Sequence, residues 1–362
     1  MQQPGKEIEN QASAKLEEIN QILLEKTSKI SDPGLANGKM GICIYFYHLA
    51  NSPGMENYSD IAEQLIDEVY QEVGKNRIQP DFEHGLAGIA WGIEYLVRHG
   101  FVEADTDQIL SGVDDKIYLH LTTKEGSTST NSRTVLGYML YLLSRIEGKQ
   151  RGASSIEDIL FRRLLIEQIN KLGETLEERN VNFREPRLFS IAWSLPLILL
   201  LLGRCHTLQI HTRKVERILE FLLPDIVSLF PRLTGHRLYL LFGMESVHRQ
   251  LRLPGWEDHI DRLKNDLRLD DILERETWNK NIHFINGLAG ISLMSRLFCK
   301  RTDNPGVLLD REIVLRRICE SGYLDKKHDE LEERLPGILS GLAGIALELL
   351  HLLQEEPVTN GM

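Results

Sequence analysis

The chain has 362 residues, 42% of them hydrophobic, with 42 Lys and Arg against 53 Asp and Glu. That much apolar material supports a large core and excludes a disordered chain. A formal charge of -11 without a concentrated Lys/Arg stripe leaves no electrostatic footprint for nucleic acid or an anionic membrane surface.

The N-terminal stretch MQQPGKEIENQASAKLEEI is polar and holds no apolar core of a signal peptide. The longest apolar run, Leu195 to Leu202, is too short to span a bilayer. A cytoplasmic protein without membrane insertion is the expectation. Cys43, Cys205, Cys299 and Cys319 form no C-x-x-C pair, which argues against a disulfide scaffold or a zinc ribbon and for reduced, packed thiols.

In chain order, the first recurring signal is GKMGI at Gly38. HGLAGIAWGIEYL follows, with its marker glycine at Gly85, then TVLGY at Thr134, SLPLI at Ser194 and GHRLY at Gly235. NGLAGISLM at Gly287 and SGLAGIALELLHLL at Gly341 complete the series. The seven markers lie about fifty residues apart, the size of a helical hairpin with its loops. Each marker heads a helix that is apolar nearly all round, as befits an inner helix. Between them lie amphipathic outer helices. HIDRLKNDLRLDDIL places Ile260, Leu263 and Leu267 on one stripe, Ser154-Ser155-Ile156-Glu157 reads as a capping box, and Pro254-Gly255 precedes a helix starting near Trp256. The polar stretch Thr122 to Ser132 reads as a flexible loop.

Fourteen helices alternating outer and inner close most economically into an all-α toroid, one domain spanning 1–362. In each Gly-x-x-Gly the two small residues lie one helical turn apart, which lets inner-helix backbones converge and suits a permissive helix start. The residues just before the markers then line one mouth of the ring: Asn37, His84, Arg133, Trp193, Thr234, Asn286 and Ser340. Most are polar, which a packed core would not select. His84, with Glu83 and Asp81 close by, could do acid/base work or shape the rim, and Arg133 could hold an anionic group or pair with a carboxylate. His283 could face the same mouth. Cys205-His206, with His211 beyond, lies about three turns from the mouth and makes a poor metal site.

GLANGKMGI, HGLAGIAWGIEYL and NGLAGISLM together resemble the lanthionine synthetase C-like cyclases over nearly the whole chain. The resemblance implies a zinc ion at the mouth, held by a cysteine before the fifth marker and a Cys-His-Gly at the sixth. It implies addition of peptide cysteine thiolates to dehydrated serine or threonine. This chain departs from that pattern at each zinc position. Leu233 stands before the fifth marker, Ile285-Asn286-Gly287 replaces Cys-His-Gly, and the fourth segment reads Ala192-Trp193-Ser194. No zinc cofactor is therefore expected. The expected function is peptide maturation by a zinc-free peptide-binding or scaffold subunit, its partners a substrate or leader peptide and a modifying enzyme. The alternative is a metal-independent peptide cyclase using His84 and Arg133. A toroid glycosidase would need two opposed acids, and Asp81, Glu83 and Glu94 find no partner at the other mouth positions.

Overall fold

A computed structural model describes residues 4–75, 77–123, 131–148, 156–178, 181, 183–277, 281–302, 304–324 and 335–354. Among them are fourteen α-helices of nine residues or more and no β-strand. The outer set is α1 (Pro4–Thr27), α3 (Ser59–Gly74), α5 (Thr106–Thr122), α7 (Ile156–Glu177), α9 (Thr212–Ser228), α11 (Trp256–Asn265) and α13 (Arg311–Cys319). The inner set is α2 (Lys39–Ala50), α4 (Leu86–Arg98), α6 (Ser132–Gly148), α8 (Ser194–Thr207), α10 (Thr234–His248), α12 (Leu288–Thr302) and α14 (Leu342–Gln354). Each inner helix packs on the next, and α14 packs on α2, so the ring closes.

The layering follows from sequence pattern. In α2 every residue from Met40 to Tyr47 is buried, because helices surround it. In α11 only Trp256, His259, Ile260 and Leu263 are buried, on one stripe. Gly255, at φ +70°, precedes α11 as the Pro-Gly signal indicates. Its helix stops at Asn265, however, and Leu267 lies beyond it before a short α/π segment over 269–276. Thr123 and Asn131 flank the polar insertion, and 124–130 fall outside the described residues, as do both serines of the expected capping box.

The repeated glycines have a sharper cause than convergence of inner helices. A Cβ on the first glycine would lie 2.4, 2.2, 2.5 and 2.3 Å from the carbonyl oxygen six residues earlier, at Gly38, Gly85, Gly287 and Gly341. A Cβ on the second would lie 1.9 Å from the oxygens of Phe82, Phe284 and Ile338 at Gly88, Gly290 and Gly344. The loop before each of these four helices thus folds back against the helix's own first turn. Its carbonyls take the otherwise orphaned amides there, as in Lys39 N–H to Asp32 O (2.8 Å), Leu86 to Gln79 (2.8 Å), Leu288 to Asn281 (3.0 Å) and Leu342 to Leu335 (2.9 Å). Conformational freedom is not the reason, since Gly38 and Gly85 have φ of -106° and -115°.

The second glycine also seats a neighbour. Leu35 packs toward Gly88, Phe82 toward Gly137, Phe284 toward Gly344 and Ile338 toward Gly41. The same glycine therefore caps one helix and joins it to the preceding loop. Gly88→Ala is expected to destabilise the fold by about 2–3 kcal/mol or more, through backbone collision. Gly112→Ala, in α5 with open space around it, is expected to stabilise by about 0.5–1 kcal/mol. Paired denaturant titrations check both, and equal effects would refute the collision account.

Candidate functional site

The inner helices begin at one end of the ring, and their preceding loops meet there. A chain of backbone hydrogen bonds links them. Ile191 N–H donates to Ile285 O (2.9 Å), Ile285 N–H to Leu339 O (2.9 Å), Leu339 N–H to Ala36 O (3.0 Å) and Ala36 N–H to Glu83 O (2.8 Å). The loops before α8, α12, α14, α2 and α4 thus form a continuous rim, and among the described residues the loop before α10 makes no such bond to it.

Two glutamates hold that loop instead. Glu185 accepts the amides of Arg232 (2.9 Å) and Leu233 (2.9 Å), and Glu276 accepts those of Thr234 and Gly235 (3.0 Å for Gly235). Four successive amides at the start of α10 are therefore neutralised from within the chain, at the kind of helix terminus that otherwise attracts anions. His236, fully buried, donates from Nδ1 to Glu185 (3.0 Å) and accepts the Ser190 amide at Nε2 (3.1 Å), which fixes its tautomer. Burial raises the Glu185 pKa, but the His236 contact and the Arg232 and Leu233 amides outweigh it and bring it down to about 2.

The sequence-derived mouth residues divide into two groups. His84 is half exposed, with Nδ1 2.8 Å from Asp32 Oδ2, while its amide donates to Asp81 Oδ1 (2.8 Å). Arg133 pairs through Nε with Glu83 and is largely exposed, on α6 beside its cap Asn131. Asn286 is exposed and accepts from Asn281 Nδ2 (2.9 Å), and Asn37 and Ser340 are half-buried. These five share the rim. Trp193 and Thr234 do not face the mouth as expected, because both are 2% exposed. Trp193 instead donates to Phe183 O (3.2 Å) and packs on the His236 ring. His283 packs edge-on against Tyr323.

The other candidates are structural. Glu94 is buried and paired with Arg145, which also binds Asp107 (2.9 Å) and Asp114 (2.7 Å), so it serves the interior between α4, α5 and α6. Glu83 and Asp81 are committed to Arg133 and to the His84 amide, which leaves no opposed acid pair for glycoside hydrolysis among the described rim residues. Cys205 is buried, which pushes its thiol up to about 12, and His206 turns to Glu216 (3.1 Å). His211 contacts Asn170 (3.1 Å) from a left-handed backbone position, φ 52°.

Sequence reasoning missed Glu185, Glu276 and His236. His236 sits one residue inside the fifth marker, where attention to the preceding residue passes over it. The two glutamates come from segments without any marker. Asp32 was missed as well, although Asp32-Pro33-Gly34 is a turn signal, and its side chain also accepts the Gly34 amide (2.8 Å).

Among solved structures, nisin cyclase superposes on this chain with a TM-score of 0.60 at 14% identity, over 92% of each chain. The fold is that of nisin cyclase. No protein-family model and no curated protein matches the sequence. The positions at which the lanthionine synthetase C-like resemblance implies zinc ligands carry Leu233, Ile285 and Asn286, a donor set without thiolate or imidazole that does not fit tetrahedral zinc. Among the described residues no group of three His, Cys, Asp or Glu side chains is arranged to hold a metal, and no helix is long and apolar enough to cross a membrane.

Glu185 gives the site a measurable acid dependence. Its folded pKa of about 2 lies below the ordinary glutamate value of about 4.3, so it stabilises the fold above that value. The contribution fades as pH falls through 4 toward 2. Glu185→Gln is expected to flatten the loss of stability over that window, measured by denaturant titration at successive pH values. Parallel profiles would overturn this role.

Proposed function

We propose that the mouth is the peptide-binding surface of a zinc-free lanthionine synthetase C-like protein, which holds a substrate or leader peptide during maturation and presents it to a modifying enzyme. The observation that carries this reading is the rim itself. Ile191, Ile285 and Leu339 give it a half-buried apolar stretch, flanked by Asn37, His84, Arg133, Asn286 and Ser340. Apolar contact with a polar border suits an extended peptide, whose side chains and amides need both. The shared fold with a cyclase of nisin supports a peptide as the occupant.

The chemistry of the three substituted positions separates binding from cyclisation. Without a metal, a peptide thiol of pKa about 8.5 is only a few per cent ionised at neutral pH. The start of α10, where helix amides could have offset that loss, is already neutralised by Glu185 and Glu276. A second reading, a metal-independent cyclase, draws on the exposed His84–Asp32 pair, a histidine oriented by a carboxylate.

A synthetic peptide containing one cysteine and one dehydroalanine distinguishes the two. Cyclisation leaves peptide mass unchanged, so free thiol is counted after alkylation. Saturable binding with the thiol retained is expected. Thiol consumption abolished by His84→Ala would establish the second reading in place of the first.

Elemental analysis is expected to give far less than one zinc per chain. One zinc per chain, lost on replacing His84 or His283, would require a relocated metal site and end the zinc-free reading. Installing Leu233→Cys, Ile285→Cys and Asn286→His together is expected to confer zinc uptake if the mouth retains its geometry.

A further inference from the structure

The opposite end of the ring, where the inner helices finish, has a different charge character. Arg98 closes α4, Glu147 and Arg204 lie in the last turns of α6 and α8, Arg249 follows α10, and Arg301 lies in the last turn of α12. Among the described residues, the ends of α4, α6, α8, α10 and α12 thus bring four arginines and Glu147 to this end of a chain whose net charge is -11. Inner helices of 12 to 17 residues set this cluster roughly 20 Å from the mouth.

Capping of helix ends explains part of it. Arg98 Nη2 donates to Ser144 O (2.7 Å) and Arg249 Nη2 to Arg301 O (2.5 Å), each completing a neighbour's final turn. Arg204 grips Glu147 with two bonds, 2.9 and 2.5 Å, and Arg98 reaches the same carboxylate at 3.5 Å. Glu147 is thus fully committed.

Arg301 is left over. Its Nη2 donates to the Ser246 hydroxyl (3.0 Å) and its guanidinium lies 5.7 Å from the Phe242 ring centre. Neither it nor Arg249 has a carboxylate within ion-pair distance among the described residues. Burial lowers the Arg301 pKa, and Arg249 and Arg204 lower it further, against the opposing pull of Glu147. A half-buried cation beside two more cations is unfavourable unless an anion joins them. Helix capping gives no reason for placing it there.

We infer that this end of the ring binds a phosphate group, with Arg301 at its centre and Arg249 and Arg204 beside it. Planar guanidinium forks match the oxygens of a phosphate in pairs, and the surplus of positive charge suits a dianion. Glu147 and Arg204 are each about a quarter exposed, at 26% and 27%, so the cluster is open to solvent. The assignment is independent of what the mouth binds.

Calorimetric titration of the full chain with inorganic phosphate, glycerol phosphate and diphosphate, at fixed ionic strength, tests it. One saturable site is expected, weakened at least tenfold by Arg301→Gln and by Arg249→Gln but not by Lys75→Gln on the outer layer. Stronger binding of glycerol phosphate than of free phosphate assigns the site to an ester, and the reverse order assigns it to the free ion. Arg249 is exposed, so its variant remains informative if Arg301→Gln misfolds. No saturable binding of any probe by the parent chain, or binding that survives both substitutions, overturns the assignment and leaves the arginines as helix caps.

Discussion

The whole ring depends on a backbone contact six residues long. At α2, α4, α12 and α14 a loop carbonyl lies so close to the start of its own inner helix that only glycine fits, and that same carbonyl accepts the first amide of the helix. Buried helix ends otherwise strand polar groups at substantial cost. Here the end is completed by the chain that leads into it, with no side-chain cap at Gly38 or Gly85. Four of the seven helix starts, those of α2, α4, α12 and α14, are gathered at one end of a packed ring in this way. The same fold-back sets the loops side by side, so that their remaining amides and carbonyls pair into the rim.

Among the three starts without this fold-back, those of α6, α8 and α10, the last shapes the chemistry of the mouth. The loop before α10 lacks a Gly-x-x-Gly fold-back and is held by Glu185, Glu276 and His236. Carboxylates brought from neighbouring segments do there what local carbonyls do elsewhere. Positive helix-end potential that could have met a substrate anion is spent inside the protein. What remains at the rim is apolar contact and a border of polar side chains, several already paired with a carboxylate or an amide. Such a surface favours recognition over ionisation of a bound group.

Much of this architecture was legible in the sequence because it is written in periodicity. Seven markers and two kinds of helix gave the closed all-α ring. The rim positions of Asn37, His84, Arg133, Asn286 and Ser340 followed from one rule about the residue before each marker. That rule failed where the marker is degraded, at Trp193 and Thr234, both packed into the wall. Contacts between segments remote in sequence were not legible, since nothing local to Glu185 or Glu276 signals that they converge on one helix start. The charged cluster at the far end escaped for the same reason. Each arginine there reads as an ordinary helix-terminal cation, and only the ring brings them together.

Closure of the ring has a consequence for how the chain is made. Each inner helix packs closely on the outer helix that follows it, except α14, which has none after it among the described residues and takes α1 instead. Ile8, Ala12, Leu16, Ile19, Ile22 and Leu23 of α1 are buried, and α1 packs mainly on α13 and α14. Arg311 to Glu9 (2.8 Å) and Lys15 to Leu324 O (2.8 Å) complete the seam. Emerging from the ribosome, α1 therefore presents a sticky face whose main cover is synthesised only on the order of tens of seconds later. Until its own α13 and α14 arrive, that face must be kept from other apolar partners, including the α14 of a second nascent chain.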